Sequence, residues 1–109
     1  MQFLIIGEAE VNPPLPPRET AQFFESLIIP SLEAIVQMEK EKKIVGGVYA
    51  GSRAAAFIVE AISNEEVSHL LMGLPFWALF KWKVTPLEST QSRLNAVRQI
   101  VDRLKGASG

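Results

Sequence analysis

Two short runs limit what this chain can become. Phe3-Leu4-Ile5-Ile6, closed by Gly7, and Ala54-Ala55-Ala56-Phe57-Ile58-Val59 are apolar at both parities. Successive side chains of a strand point to opposite faces, so a strand made from either run presents carbon on both sides of its sheet. Three alanines can also open a helix, but Phe57-Ile58-Val59 favours a strand. A chain of 109 residues is expected to hold one domain with one modest core. Few elements are therefore left to cover the two faces of that sheet.

The remaining segments supply the covers. Residues 8–17 contain Pro13, Pro14, Pro16 and Pro17, which suit neither a ladder nor a helix interior, and read as an extended surface loop. Pro17 fits a first helical turn and Glu19 complements its dipole. Phe24, Ile28, Leu32 and Ile35 then recur at helical spacing, with Met38 one turn on. The spacing predicts a helix over residues 18–42, kinked or split near Pro30, whose ring would clash with the Ser26 carbonyl. Ile44-Val45-Gly46-Gly47-Val48-Tyr49 reads as a strand whose paired glycines mark a bulge or a close backbone approach. Ser63-Asn64-Glu65-Glu66 is a capping box, and Val67, Leu70, Leu71 and Leu74 form one helical stripe behind it.

Residues 74–87 hold both tryptophans, with Pro75 and Pro86 near the two ends. Between them Phe80, Trp82 and Val84 alternate with Lys81, Lys83 and Thr85, the period of a strand with one apolar face. A final helix, residues 89–105, carries the seam Leu94, Val97, Val101 and Leu104. That seam is too short for a free-standing coiled coil and must dock on something. Residues 106–109 are expected to fray.

Strand, helix, strand, strand, helix, strand is the order of an α+β, ferredoxin-like βαββαβ unit. Such a unit has a four-stranded antiparallel sheet with both helices on one face. The expected single domain has its core in residues 1–87, an added helix in 88–105 and a tail in 106–109. The topology puts the two apolar runs at the centre. It also leaves one face of the sheet as a large apolar surface, which monomers rarely expose. A second protomer's sheet, packed face to face, is the expected cover; the C-terminal helix folding back is the competing one.

Composition excludes several functions. A net charge of −1 leaves no footprint for nucleic acid or an anionic membrane. The absence of cysteine removes disulfides and thiolate sites, and one histidine removes multi-histidine metal clusters. No metal and no cofactor is expected. The apolar run at the N-terminus is too short for a signal peptide or a membrane span, so a cytoplasmic location is expected.

Three stretches bring a family to mind. Ile62-Ser63-Asn64-Glu65-Glu66-Val67, then Leu71-Met72-Gly73-Leu74-Pro75-Phe76, then Trp82-Lys83-Val84-Thr85-Pro86-Leu87 together resemble muconolactone delta-isomerases and their relatives. In those proteins a short helix ends in a Leu-Pro-aromatic turn before the last strand. The resemblance implies a dimeric α+β barrel of ferredoxin-like protomers, assembled in many members into larger rings. It does not extend to the proline loop or to the last helix, and it puts no isomerase catalytic residue on a matching position of this chain.

A lactone isomerase moves a proton between carbons, so it needs a base and a group that stabilises an enolate. Glu8 and Arg53, beside central-strand ends where a pocket would open, are the candidate base and anion clamp, and Tyr49 is a further catalytic candidate. Trp77, Trp82 and Glu60 are candidate pocket residues. Each also has a plainer reading: surface charge for Glu8, Arg53 and Glu60, packing for the aromatics. His69 falls about 200° from Val67, opposite its helix's apolar stripe, and is expected to face solvent. Two functions remain: an isomerase-like enzyme or binder of a small organic acid or lactone, or a non-catalytic module whose partner is another copy of itself.

Overall fold

The two apolar runs become the two inner strands of the sheet. In the computed structural model, which describes residues 1–10 and 14–108, β1 (Gln2–Ala9) pairs antiparallel with β3 (Ala54–Glu60). β2 (Ile44–Val48) lies outside β3 and β4 (Phe80–Leu87) lies outside β1, so the order is β2-β3-β1-β4. With its helices this is an α+β, ferredoxin-like βαββαβ unit followed by one extra helix. Residues 11–13, including Asn12 and Pro13 of the expected proline loop, and residue 109 lie outside the described residues.

One face of the sheet is closed by helices. Phe3 and Ile5 of β1 and Phe57 and Val59 of β3 are buried there. Val67 and Leu71 of α3 (Asn64–Met72) and Ile35 from the first helical segment complete this core. On the other face Leu4 and Ile6 are half-buried, while Ile58 and Val45 are exposed. Both parities of the inner strands are apolar, as read, but the described residues of one copy cover only one of them.

α3 begins where the capping residues place it. The Glu66 N–H donates to Ser63 Oγ at 3.2 Å, and the Glu66 carboxylate accepts from the Ile62 N–H at 3.1 Å. The reciprocal bond thus lands one residue earlier than in the usual box. At the far end Leu74 and Phe76 are buried around the Leu-Pro-Phe turn, and a short 3₁₀ turn (Trp77–Leu79) leads into β4.

The first helical segment is split as Pro30 requires. α1 (Pro17–Phe23) gives way to a π turn (Phe24–Ile28), and α2 (Ile29–Lys40) follows. Pro30 has no N–H to offer the Ser26 carbonyl, and its ring needs that space. The extra residue of the π turn supplies the room, with the Ile29 N–H donating to the Phe24 carbonyl. Lys42, at φ 60°, then takes the left-handed conformation just past the end of α2.

Two glycines act through close approach. Gly46 sits at φ 148°, and a Cβ there would meet the Ala56 carbonyl oxygen at 2.1 Å. Pairing of β2 with β3 is unbroken from Ile44–Val59 to Val48–Ala55, so the feature is an approach and not a bulge. Gly7 does not end β1; the ladder to β4 continues through Glu8–Lys81 to Ala9–Phe80. Its missing side chain makes room for the Trp82 indole, whose nearest ring atom would lie 2.6 Å from a Cβ.

The last helix departs most from a closed body. α4 (Thr90–Ser108) continues past Lys105 and does not fold back over the sheet. Its seam residues Leu94, Val97, Val101 and Leu104 are 41–65% exposed. The protein is 74 Å long with a radius of gyration of 19.6 Å, against about 13 Å for a compact chain of this length.

Candidate functional site

The split helical segment stands off from the sheet and leaves a cleft of about 850 Å³ beneath it. Its mouth is at the end of the sheet where β1 finishes and β3 and β4 begin. Two backbone bonds hold that end together: the Ala9 N–H donates to the Arg53 carbonyl at 2.8 Å, and the Glu10 N–H donates to the Leu79 carbonyl at 3.1 Å. The helical roof contributes Phe24, Ile28, Leu32 and Ile35. These are the residues whose spacing predicts the helix; of the four only Ile35 is fully buried.

The sheet side of the cleft is aromatic. Phe76, Phe80 and Trp82 touch in sequence, with ring centroids 4.4 Å apart for Phe76–Phe80 and 5.4 Å for Phe80–Trp82. The Trp82 ring lies on Gly7, and its Nε1–H donates to the Trp77 carbonyl at 3.0 Å, which fixes the indole plane. Behind it, buried Ser31 donates to the Leu27 carbonyl at 2.7 Å and accepts from the Phe76 N–H at 3.0 Å. That one hydroxyl couples α2 to the Leu-Pro-Phe turn.

Among the described residues, polar side chains line the cleft at four positions besides Trp82: Glu10, Thr20, Ser52 and Arg53. Thr20 directs its hydroxyl at the Leu15 and Pro16 carbonyls, at 3.2 and 3.1 Å. Arg53 and Glu10 are exposed, and neither forms a salt bridge among the described residues. A cation and a carboxylate are therefore available at the rim, while the interior is carbon.

The residues expected to form a site are placed unequally. Arg53 and Trp82 line the cleft. Glu8 belongs to β1 and does not follow it, and it alternates to the face opposite Gly7 and Ala9. Tyr49 lies just beyond β2 in the hairpin turn, where its N–H donates to the Ala54 carbonyl at 2.8 Å; its ring does not line the cleft. Glu60 occupies the opposite end of β3 and pairs with the Met1 amino group. Trp77 is 41% exposed and serves the cleft through its backbone carbonyl alone. Of Glu8, Tyr49 and Arg53, Arg53 alone lines the cleft. Glu10, Phe76 and Phe80 were not legible as site residues. The only hint was their closeness to strand ends and to the Leu-Pro-Phe turn.

Two carboxylates away from the cleft are lowered by their neighbours. Glu88 is held below the ordinary value of 4.5 by a hydrogen bond from Arg93 and then by Ser92; Glu41 is lowered first by Gln37 and then by Lys43. His69 is exposed on α3. Among the described residues no group of three or more His, Cys, Asp or Glu is placed to hold a metal, and no helix is long and apolar enough to cross a membrane.

No protein-family model matches the chain, and no curated protein sequence does. Among solved structures, the crystal structure of muconolactone isomerase at 3.3 Å resolution is similar to it with a TM-score of 0.66. The match covers 82% of this chain and 90% of that one, at 20% identity. A likeness at that identity is one of fold. The fold of this chain is muconolactone isomerase-like, and the resemblance carried by residues 62–87 extends to the whole βαββαβ order.

Proposed function

We propose that this chain is a cytoplasmic, homo-oligomeric protein that binds a small organic acid or lactone in the cleft between its first helical segment and the sheet. The observation that carries the reading is the cleft, a carbon-lined space with Arg53 and Glu10 at its rim. If the bound compound is isomerised, Glu10 takes a proton from a carbon beside a carbonyl and returns it to a second carbon of the same molecule. Arg53 meanwhile holds the oxygen on which negative charge develops. Glu10 replaces Glu8 in the role of base, because Glu8 points to the other side of the sheet.

The test is proton exchange at carbon. The protein is incubated in deuterated buffer with small lactone acids, and loss of carbon-bound hydrogen is followed by NMR. Glu10→Gln is expected to slow exchange by about 10²–10⁴, while Glu8→Gln leaves it unchanged. Equal exchange by wild type and Glu10→Gln would remove the catalytic half of the proposal.

A second observation favours assembly. The exposed seam of α4 and the open face around Leu4, Ile6, Val45 and Ile58 both leave apolar surface uncovered in one copy. Face-to-face pairing of two sheets would complete the dimeric α+β barrel expected of this fold. Native mass spectrometry decides the point: a dimer or larger ring supports pairing, and a monomer at micromolar concentration overturns it.

A further inference from the structure

Resting on the reading of the cleft as a ligand site, we infer that its ligand is a flat, extended aromatic body carrying a single acidic group, with that group held at Arg53 and the rings laid against Phe76, Phe80 and Trp82. Size comes first. At about 30 Å³ per water-sized group, a cleft of about 850 Å³ accommodates roughly 15 to 20 non-hydrogen atoms when somewhat over half filled. A six-carbon lactone acid would leave most of it empty.

The chemistry of the walls agrees. Among the described residues that line the cleft, the Trp82 Nε1–H is directed at the Trp77 carbonyl and the Thr20 hydroxyl at Leu15 and Pro16, while Glu10, Ser52 and Arg53 are exposed at the rim, so none of these offers a free hydrogen-bonding side chain in the interior. An oxygen-rich ligand placed there would lose water and gain no partner. A hydrocarbon body loses nothing of the kind. The three aromatic rings of the sheet side, with Phe24 in the roof opposite, present flat π faces to whatever enters.

Charge then sets the number and place of the acidic group. Among the described residues Arg53 is the one cation lining the cleft, and its backbone is fixed at the mouth by the Ala9 N–H. The guanidinium suits a carboxylate in two-point contact. Glu10, also at the rim, repels a second acidic group.

The protein is titrated with 1-pyrenecarboxylate, with its neutral methyl ester and with a six-carbon lactone acid, following tryptophan quenching and pyrene emission. The expected order is acid over ester by about tenfold, with the lactone acid weakest. Arg53→Met should remove the preference of acid over ester while leaving ester affinity within about twofold, which also shows that the variant is folded. Tight binding of the lactone acid with none of the pyrene compounds would overturn the aromatic assignment and keep the cleft as a ligand site. Equal binding of acid and ester by wild type would overturn the role of Arg53. Binding of none of the three would overturn both this inference and the ligand-site reading.

Discussion

The two helical covers lie on the same face of the sheet and behave differently. α3 lies down on its strands: Val67 and Leu71 are buried, and Leu74 and Phe76 seal its end. The segment from α1 through the π turn to α2 carries an equally regular apolar stripe, yet Phe24 and Leu32 remain 47% and 38% exposed. Both stripes are apolar; what differs is the backbone that carries them. α3 is one short capped helix that seats as a rigid rod. The other segment contains Pro30, and the π turn that accommodates it re-aims the residues on either side. A packed core lies beneath the first and a cleft beneath the second.

The largest effect should come from the packed side. Leu71→Ala is expected to destabilise the protein by about 2–5 kcal/mol in urea unfolding, through lost burial and the cavity left behind. Leu32→Ala, on the side that stands off, should cost less than about 1 kcal/mol because its water contact changes little. Similar losses for the two would mean that the first segment closes onto the sheet in solution, and the contrast would fail.

Ser31→Ala sharpens the comparison at a bond joining α2 to the turn that follows α3. It strands the buried Phe76 N–H and is expected to cost about 1–3 kcal/mol. Amide exchange at Phe76 should accelerate more than at Val67; an unchanged Phe76 rate would show that another group takes over. Gly7→Ala acts on the cleft alone. The new methyl would sit 2.6 Å from the Trp82 ring, so the indole must shift at a cost of about 1–3 kcal/mol. A displaced Trp82 emission maximum with secondary structure retained is the expected signature, and an unmoved spectrum would contradict it.

The smallest effect concerns α4, which takes part in neither cover. Glu88 is lowered by Arg93 and Ser92 at the start of this helix. A carboxylate lowered on folding contributes stability above its unfolded value, here 4.5, and loses it as pH falls through the folded value. Both partners are exposed, so the contribution is slight. Amide exchange in the first turn of α4 should quicken as pH falls below about 4.5, after correction for intrinsic rates, and Glu88→Gln should abolish that dependence. Persistence in the variant would assign it to another group.

Much of this architecture was legible because it rests on local rules. The apolar parity of residues 3–6 and 54–59 marked the inner strands, alternation from Phe80 to Thr85 oriented β4, and Ser63 with Glu66 located the start of α3. The break near Pro30 followed from a missing donor and a ring. The site was harder to read. Phe24, Ile28, Leu32 and Ile35 have the spacing of a core stripe, and nothing in that spacing tells a stripe in contact from one held a few ångströms away. Glu8 and Glu10 differ by two residues, and only the continuation of β1 through Gly7 decides which face of the sheet Glu8 takes.

By itself, the sequence determined which residues form strands and helices, which strands are central, and that one copy leaves an apolar face of its sheet uncovered. Each follows from periodicity, capping or proline geometry, which act within a few residues of one another. Only the tertiary structure decided that Trp82 lies on Gly7, that Ser31 reaches the Phe76 N–H, and that Arg53 meets an aromatic cleft while Glu60 and Tyr49 do not. Those are contacts between residues distant along the chain. They depend on how far a split helix stands from a sheet, a distance set by the whole packing and by no single segment.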